Sequence, residues 1–201
     1  MNDEFFNLNF NKPDSLAGEH YRAAYQNAVV SCNSNQILHL CDIDKVAYAL
    51  QSEYKETFIG DVKAVSDDKI PQLFQRSQTA WQTYPRHYRE IEHLAIKLGG
   101  YIFGKYVDVA WSHLVIGVSQ LQSILPQLKN CDFGVLVEIV LLLKDTLRTQ
   151  EVDWLSWEDP FIYGRDPVEL MKERDNSIEE THNRLRGLQP IMKILLEAIE
   201  P

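Results

Sequence analysis

Apolar residues recur along this chain mostly at spacings of three and four, the signature of helices that bury one face. Asp14 or Ser15 can cap the first helix, and Glu19 lies early enough to meet its positive end. Tyr21, Ala24, Tyr25, Ala28, Val29 and Cys32 then fall on one side, until Asn33-Ser34-Asn35 breaks the run. Between Ile43 and Phe58 the pattern returns through Val46, Ala47, Leu50 and Tyr54, with Gly60 as punctuation. A third helix is expected to start at Ser66-Asp67-Asp68 and to carry Leu73, Phe74, Ala80 and Trp81. Pro85 is poorly tolerated inside a helix, so it is placed as the first residue of a fourth, ending at Gly99-Gly100.

From Tyr106 to Leu125 the positions Val107, Ala110, Trp111, Leu114, Val118 and Leu121 mark another face. The stretch Tyr101 to Val109 is rich in aromatic and β-branched residues, which leaves strand and helix both open there. Asp132 caps a helix expected to reach about Arg148, apolar on nearly every side between Val135 and Leu143 and therefore central. Asp166-Pro167-Val168-Glu169 combines a cap, a first-turn proline and a reciprocating glutamate. The last apolar face runs through Ile178, Leu185, Leu188, Met192, Leu195 and Ile199. The expectation is an all-α fold: one helical domain over residues 1–201, an irregular bundle of about seven amphipathic helices. Residues 1–13 would form an N-terminal arm, and 150–165 an aromatic and acidic connection between helices.

Composition fits an ordinary globular protein, 45% hydrophobic and 24% charged in 201 residues. Twenty Lys and Arg against twenty-nine Asp and Glu give a formal net charge of −9. That balance argues against nucleic acid and against an anionic membrane surface, both of which require basic patches. No secretory leader pattern opens the sequence, and the apolar run from Phe133 to Leu143 is too short for a bilayer that needs about 20 residues. Cys32, Cys41 and Cys131 are few, odd in number and scattered, so a cytoplasmic protein with reduced, buried thiols is expected.

Several spacings suggest catalysis. Helical di-metal carboxylate centres use a Glu on two helices and Glu-x-x-His on two others. Here Glu90-Ile91-Glu92-His93 and Glu179-Glu180-Thr181-His182 flank Glu138, and Glu53 precedes them. At roughly 100° per residue, however, Glu90, His93, Glu179 and His182 fall outside the apolar stripes of their helices. Glu138 stands in an apolar helix and must find a cation or a helix terminus, or serve as a functional acid. Cys32, His39 and Cys41 match no common zinc spacing, Ser119 lacks a nucleophile elbow, and Gly104-Lys105 has no glycine-rich loop before it.

The acidity is unevenly spread. Residues 151–180 hold ten acids and three bases, a net −7. The same stretch carries Trp154, Trp157, Phe161 and Tyr163 among Asp153, Glu158 and Asp159. Aromatic anchors ringed by carboxylates suit a basic protein partner, the rings supplying affinity and the charges steering encounter. These seven residues are the expected partner-binding set of a non-catalytic inhibitor. An example is a bacterial immunity protein that covers the basic active-site cleft of a cognate toxin, with no cofactor. The alternatives are the helical di-metal enzyme and a structural adaptor subunit.

Overall fold

In the computed structural model, which describes residues 13–66, 70–110 and 113–199, a four-stranded mixed sheet runs through a mostly helical chain. The expected all-α bundle is therefore corrected. In chain order the elements are α1 (Ala17–Ser31), β1 (Ile37–Leu40), α2 (Ile43–Gln51), α3 (Lys55–Ser66), β2 (Gln72–Arg76), α4 (Gln78–Gln82) and α5 (Arg86–Phe103). They continue with β3 (Leu114–Gly117), α6 (Val118–Ile124), α7 (Gly134–Leu142), β4 (Arg148–Val152), α8 (Asp159–Ile162), α9 (Pro167–Asp175) and α10 (Ile178–Ile199).

The strands lie in the order β1-β3-β2-β4. β3 pairs antiparallel with β1 and β2, and β2 pairs parallel with β4 from Gln72 opposite Arg148 to Arg76 opposite Val152. Each strand has only four or five residues, and side chains alternate between two covered faces. Leu40, Leu73, Leu114 and Ile116 pack into the core beneath α1, α5, α6, α7 and α10. Phe74, Val115 and Val152 point the other way, against Ala49, Phe58, Val65, Trp154 and Leu155. A third cluster joins Trp81, Tyr84, Tyr88, Ile96, Trp157 and Leu170.

The two central strands, β2 and β3, are short and buried on both sides, so they show neither strict alternation nor a helical stripe, which is why the helical reading absorbed them. Leu73 and Phe74 sit in β2 rather than in a third helix, while residues 67–69 lie outside the described residues. In place of the expected helix Tyr106–Leu125, residues 106–110 form a loop and β3 and the short α6 follow, with residues 111–112 outside the described residues. The helix drawn to Arg148 stops at Leu142, and Arg148 opens β4. Tyr101–Phe103 finish α5, which closes at Gly104 with φ of 65°, so no strand forms over 101–109. The single helix from Ile43 to Phe58 is broken at Ser52 into α2 and α3. Residues 150–165 comprise the end of β4, a 3-10 turn at Asp153–Leu155, and α8. The expected N-terminal arm lies, up to residue 12, outside the described residues.

Other expectations hold. Asp166 caps α9 by accepting from the backbone N–H groups of Val168 and Glu169, with Pro167 in the first turn. α7 is buried around most of its circumference. Glycine at position 18 allows α1 to approach the backbone of Cys131 and Asp132, where a Cβ would collide with the Asp132 carbonyl oxygen.

His39, on β1, and His113, just before β3, meet at 5.4 Å between ring centroids and both touch Trp154. Burial lowers His39 to about 4, and burial with the neighbouring His39 pushes His113 well below the usual range. Unfolded imidazoles titrate near ~6.5, so above that pH neither state carries the extra proton. As pH falls from 6.5 toward 4 the unfolded chain gains protons that the folded chain refuses, and stability drops. In urea unfolding at pH 7, 5.5 and 4.5, His39→Phe is expected to reduce the wild-type loss of stability by about one proton's worth of slope. An unchanged slope contradicts the assignment of a neutral His39.

Candidate functional site

β2 ends on Arg76, a guanidinium with 1% exposure inside the fold. A buried cation must be paired, and here two carboxylates from distant segments meet it. Its Nε and Nη2 donate to Asp108 at 2.7 and 2.9 Å, a bidentate contact with a fully buried acid on the loop after α5. Nη2 also lies 2.7 Å from Glu92 of α5. The guanidinium stacks on the Trp81 ring at 3.6 Å, and the indole N–H donates to Tyr106 Oη, which donates to the Arg76 carbonyl.

From Glu92 the ionic chain runs outward. Arg184 of α10 donates to Glu92 Oε1 at 2.9 Å and lies over the Tyr88 ring at 3.7 Å. Tyr88 Oη donates to Glu180 at 3.0 Å, Glu180 also pairs with Arg174, and Arg174 reaches Asp159 on α8 at 3.2 Å. A second branch starts at Lys45 of α2, which is 2% exposed. Its ammonium pairs with Glu158 and donates to Tyr84 Oη at 2.7 Å and to the Ser156 carbonyl at 3.2 Å. Burial, reinforced by the Arg76 cation, pushes Lys45 well below the usual lysine range, and Asp44, Asp159 and Asp42 oppose that shift. Burial likewise raises Asp159, against the pull of Arg174 and Lys45.

A cavity of about 260 Å³ opens beside this chain. Glu92, Glu180, Arg184 and Asp42 give it a charged side, while Phe133, Leu136, Leu188 and Ile191 give it an apolar wall.

The seven partner-binding candidates separate into two groups. Trp154 is completely buried, with its indole N–H donating to Asp61 at 2.9 Å, and Trp157 is 5% exposed with its backbone N–H on Thr83. Glu158 is turned inward to Lys45, Asp159 to Arg174, and Asp153 accepts from Ser77. Phe161 and Tyr163, by contrast, are 46% and 59% exposed. They open a run of nine exposed residues, 161–169, that also presents Ile162 and Val168. Gly164, with φ of 60°, turns the chain between α8 and α9. The inner edge of Phe161 rests on Tyr48 of α2, ring centroids 5.6 Å apart.

The metal candidates are not gathered. Glu90 is exposed beside Arg86, and His93 uses Nδ1 on the Arg89 carbonyl with its ring against Trp81. Glu179 and His182 face outward. Glu138 accepts from the backbone N–H groups of Lys129 and Asn130 in the loop before α7, rather than from the cation or helix terminus expected from sequence. Cys32 and Cys41 are free thiols, and His39 lies in the aromatic layer under the sheet. No group of three metal-capable side chains occurs among the described residues.

Sequence reasoning passed over Lys45, Arg76, Glu92, Asp108 and Arg184. Glu92 alone carried a signal, because on the helical wheel it lies only about 40° from Tyr88, at the edge of the apolar stripe, while Glu90 and His93 fall well outside it. No protein-family model, no curated protein and no solved structure matches the chain.

Removing Arg76 alone leaves the fully buried Asp108 without its cation and Glu92 with Arg184 alone. Arg76→Met is expected to lower unfolding free energy in urea by about 3–5 kcal/mol. The triple change Arg76→Met, Asp108→Leu, Glu92→Leu is expected to recover most of that loss, because it removes the desolvated charges together. A single variant as stable as wild type contradicts the network's role.

Proposed function

We propose that the protein acts by binding another protein, and that it inhibits a basic partner by covering its cleft, as an immunity protein does for a toxin. The observation that carries this reading is the exposed run 161–169. Four large apolar side chains stand in water there, within the most acidic stretch of the chain. Contiguous apolar exposure of this kind marks interaction surfaces. α8 is also braced from below by two ion pairs, Lys45 with Glu158 and Arg174 with Asp159. Such bracing reduces the ordering cost of association.

On this reading Phe161 and Tyr163 are the anchors, flanked by Ile162 and Val168. Trp154 and Trp157 form the foundation rather than the contact. Because Glu158 and Asp159 are engaged inward, long-range steering falls to exposed acids such as Glu151 and Glu169. The mechanism is occlusion and needs no reacting group.

The test uses the protein encoded beside this one as the partner, with affinity read by surface plasmon resonance. Phe161→Ala with Tyr163→Ala is expected to raise Kd by at least about 30-fold, roughly 2 kcal/mol, with an unchanged melting temperature. Glu169→Lys is expected to slow association and flatten its dependence on salt, with little effect on dissociation. No binding by wild type, or equal affinity for the double variant, overturns the proposal.

A further inference from the structure

We propose that the groove between α4 and the outer side of α5 binds a chain of phosphates, an oligophosphate carried free or on a nucleotide. The groove shares no residue with the exposed run 161–169, so it stands or falls independently of the binding reading above.

The order of residues along α5 places the charges. Arg86, Arg89, His93 and Lys97 follow one another at intervals of three and four, and so fall on one stripe of the helix. At about 1.5 Å per residue that stripe is roughly 16 Å long. Glu90 is the one carboxylate among the described residues that line the groove, against the three cations Arg86, Arg89 and Lys97. In a chain of formal net charge −9, the overall balance hides this local excess of positive charge. The facing wall is α4, where Gln78 and Gln82 add two side-chain amides. Between them Trp81 packs its ring against His93 at 4.7 Å, and the space enclosed is about 520 Å³.

The fold leaves these cations over. Arg76, Arg174 and Arg184 each have carboxylates of their own. Arg89 is half-buried with its Nε sealed from solvent, and its side chain makes no hydrogen bond or ion pair among the described residues. A buried donor left without an acceptor is costly, and an entering anion would supply one. Lys97 also has no ion pair among the described residues. Arg86 approaches Glu90 only to 3.6 Å, with both side chains largely in water. Arg86 and Arg89 stand moreover in the first turn of α5, the positive end of the helix, where cations are disfavoured. Asp175 is committed there to the backbone and ring of His87.

The donors select the class of ligand. Guanidinium forks and side-chain amides direct N–H groups at phosphate oxygens, and a row of cations matches charges spaced closely along a chain. An extended acidic peptide would need main-chain partners to set its register. Both walls here are helices, whose backbone groups are already bonded internally.

The site is tested by calorimetric titration with sodium tripolyphosphate in magnesium-free buffer, and located through the NMR resonances of Trp81 and His93. Saturable binding with Kd below about 100 µM at low salt is expected, weakening as ionic strength rises. Orthophosphate should bind at least about tenfold more weakly. Arg89→Gln and Lys97→Gln are each expected to weaken tripolyphosphate binding at least about threefold, and Glu90→Gln to strengthen it. Lys97 is exposed, so its variant keeps the test sound whatever Arg89→Gln does to stability. No saturable binding, or wild-type affinity in both Arg89→Gln and Lys97→Gln, overturns the site. A hexaglutamate peptide that binds as tightly as tripolyphosphate also overturns it, and makes the groove a surface for acidic protein. Adenosine triphosphate separates the two sources. Tighter binding than tripolyphosphate supports a chain carried on a nucleotide, and equal or weaker binding supports the free chain.

Discussion

A guanidinium removed from water and shared between two carboxylates is the constraint around which this fold is arranged. Arg76 joins the end of β2 to the loop carrying Asp108 and to Glu92 of α5, and through Glu92 to α10. Desolvating such charges is expensive, so their geometry admits little slack. The flat faces of Trp81 and Tyr84 cover the cation, and that cover in turn sets where α4 and the chain before α5 lie. The ion cluster is thus what fixes the sheet against the helices on its flank. Apolar packing supplies the bulk of the driving force, but it specifies position less sharply than paired, hydrogen-bonded charges.

The same constraint accounts for the inversion seen between Asp153 and Tyr163. Lys45 and Arg174 need partners, and Glu158 and Asp159 provide them by facing inward. Trp154 and Trp157 follow the chain into the core. What remains for the outer surface is Phe161, Ile162 and Tyr163, apolar side chains with no interior place to go. In the proposed reading this is how an acidic segment comes to offer an apolar contact, braced from beneath by its own carboxylates.

Some of this was legible in the sequence. The Asp166-Pro167 start of α9, the all-round apolarity of α7 and the outward turn of Glu90, Glu179 and His182 follow from local rules, and the structure agrees with each, whereas His93 folds back half-buried onto Trp81. The sheet was not legible. Gln72-Leu73-Phe74-Gln75-Arg76 contains three polar residues, yet all five positions are buried. Hydrophobic periodicity has no means of marking a strand whose polar side chains are satisfied inside. For the same reason Lys45 and Arg76 read as ordinary surface charges, since only tertiary pairing brings Glu158, Asp108 and Glu92 to them. The acidic, aromatic stretch at 151–180 drew attention from composition alone. Which of its aromatics face outward depends on the ion pairs beneath them, and so could be read only from the fold.

The most direct measurement of the central claim is amide hydrogen exchange of the protein alone and bound to the protein encoded beside it. The account predicts new protection concentrated at residues 161–169, with further protection on α2, whose Tyr48 supports Phe161. The outer side of α5, around Arg86, Glu90 and Lys97, should be unaffected. Protection centred on that side of α5, or no change across 161–169 in a formed complex, would contradict it.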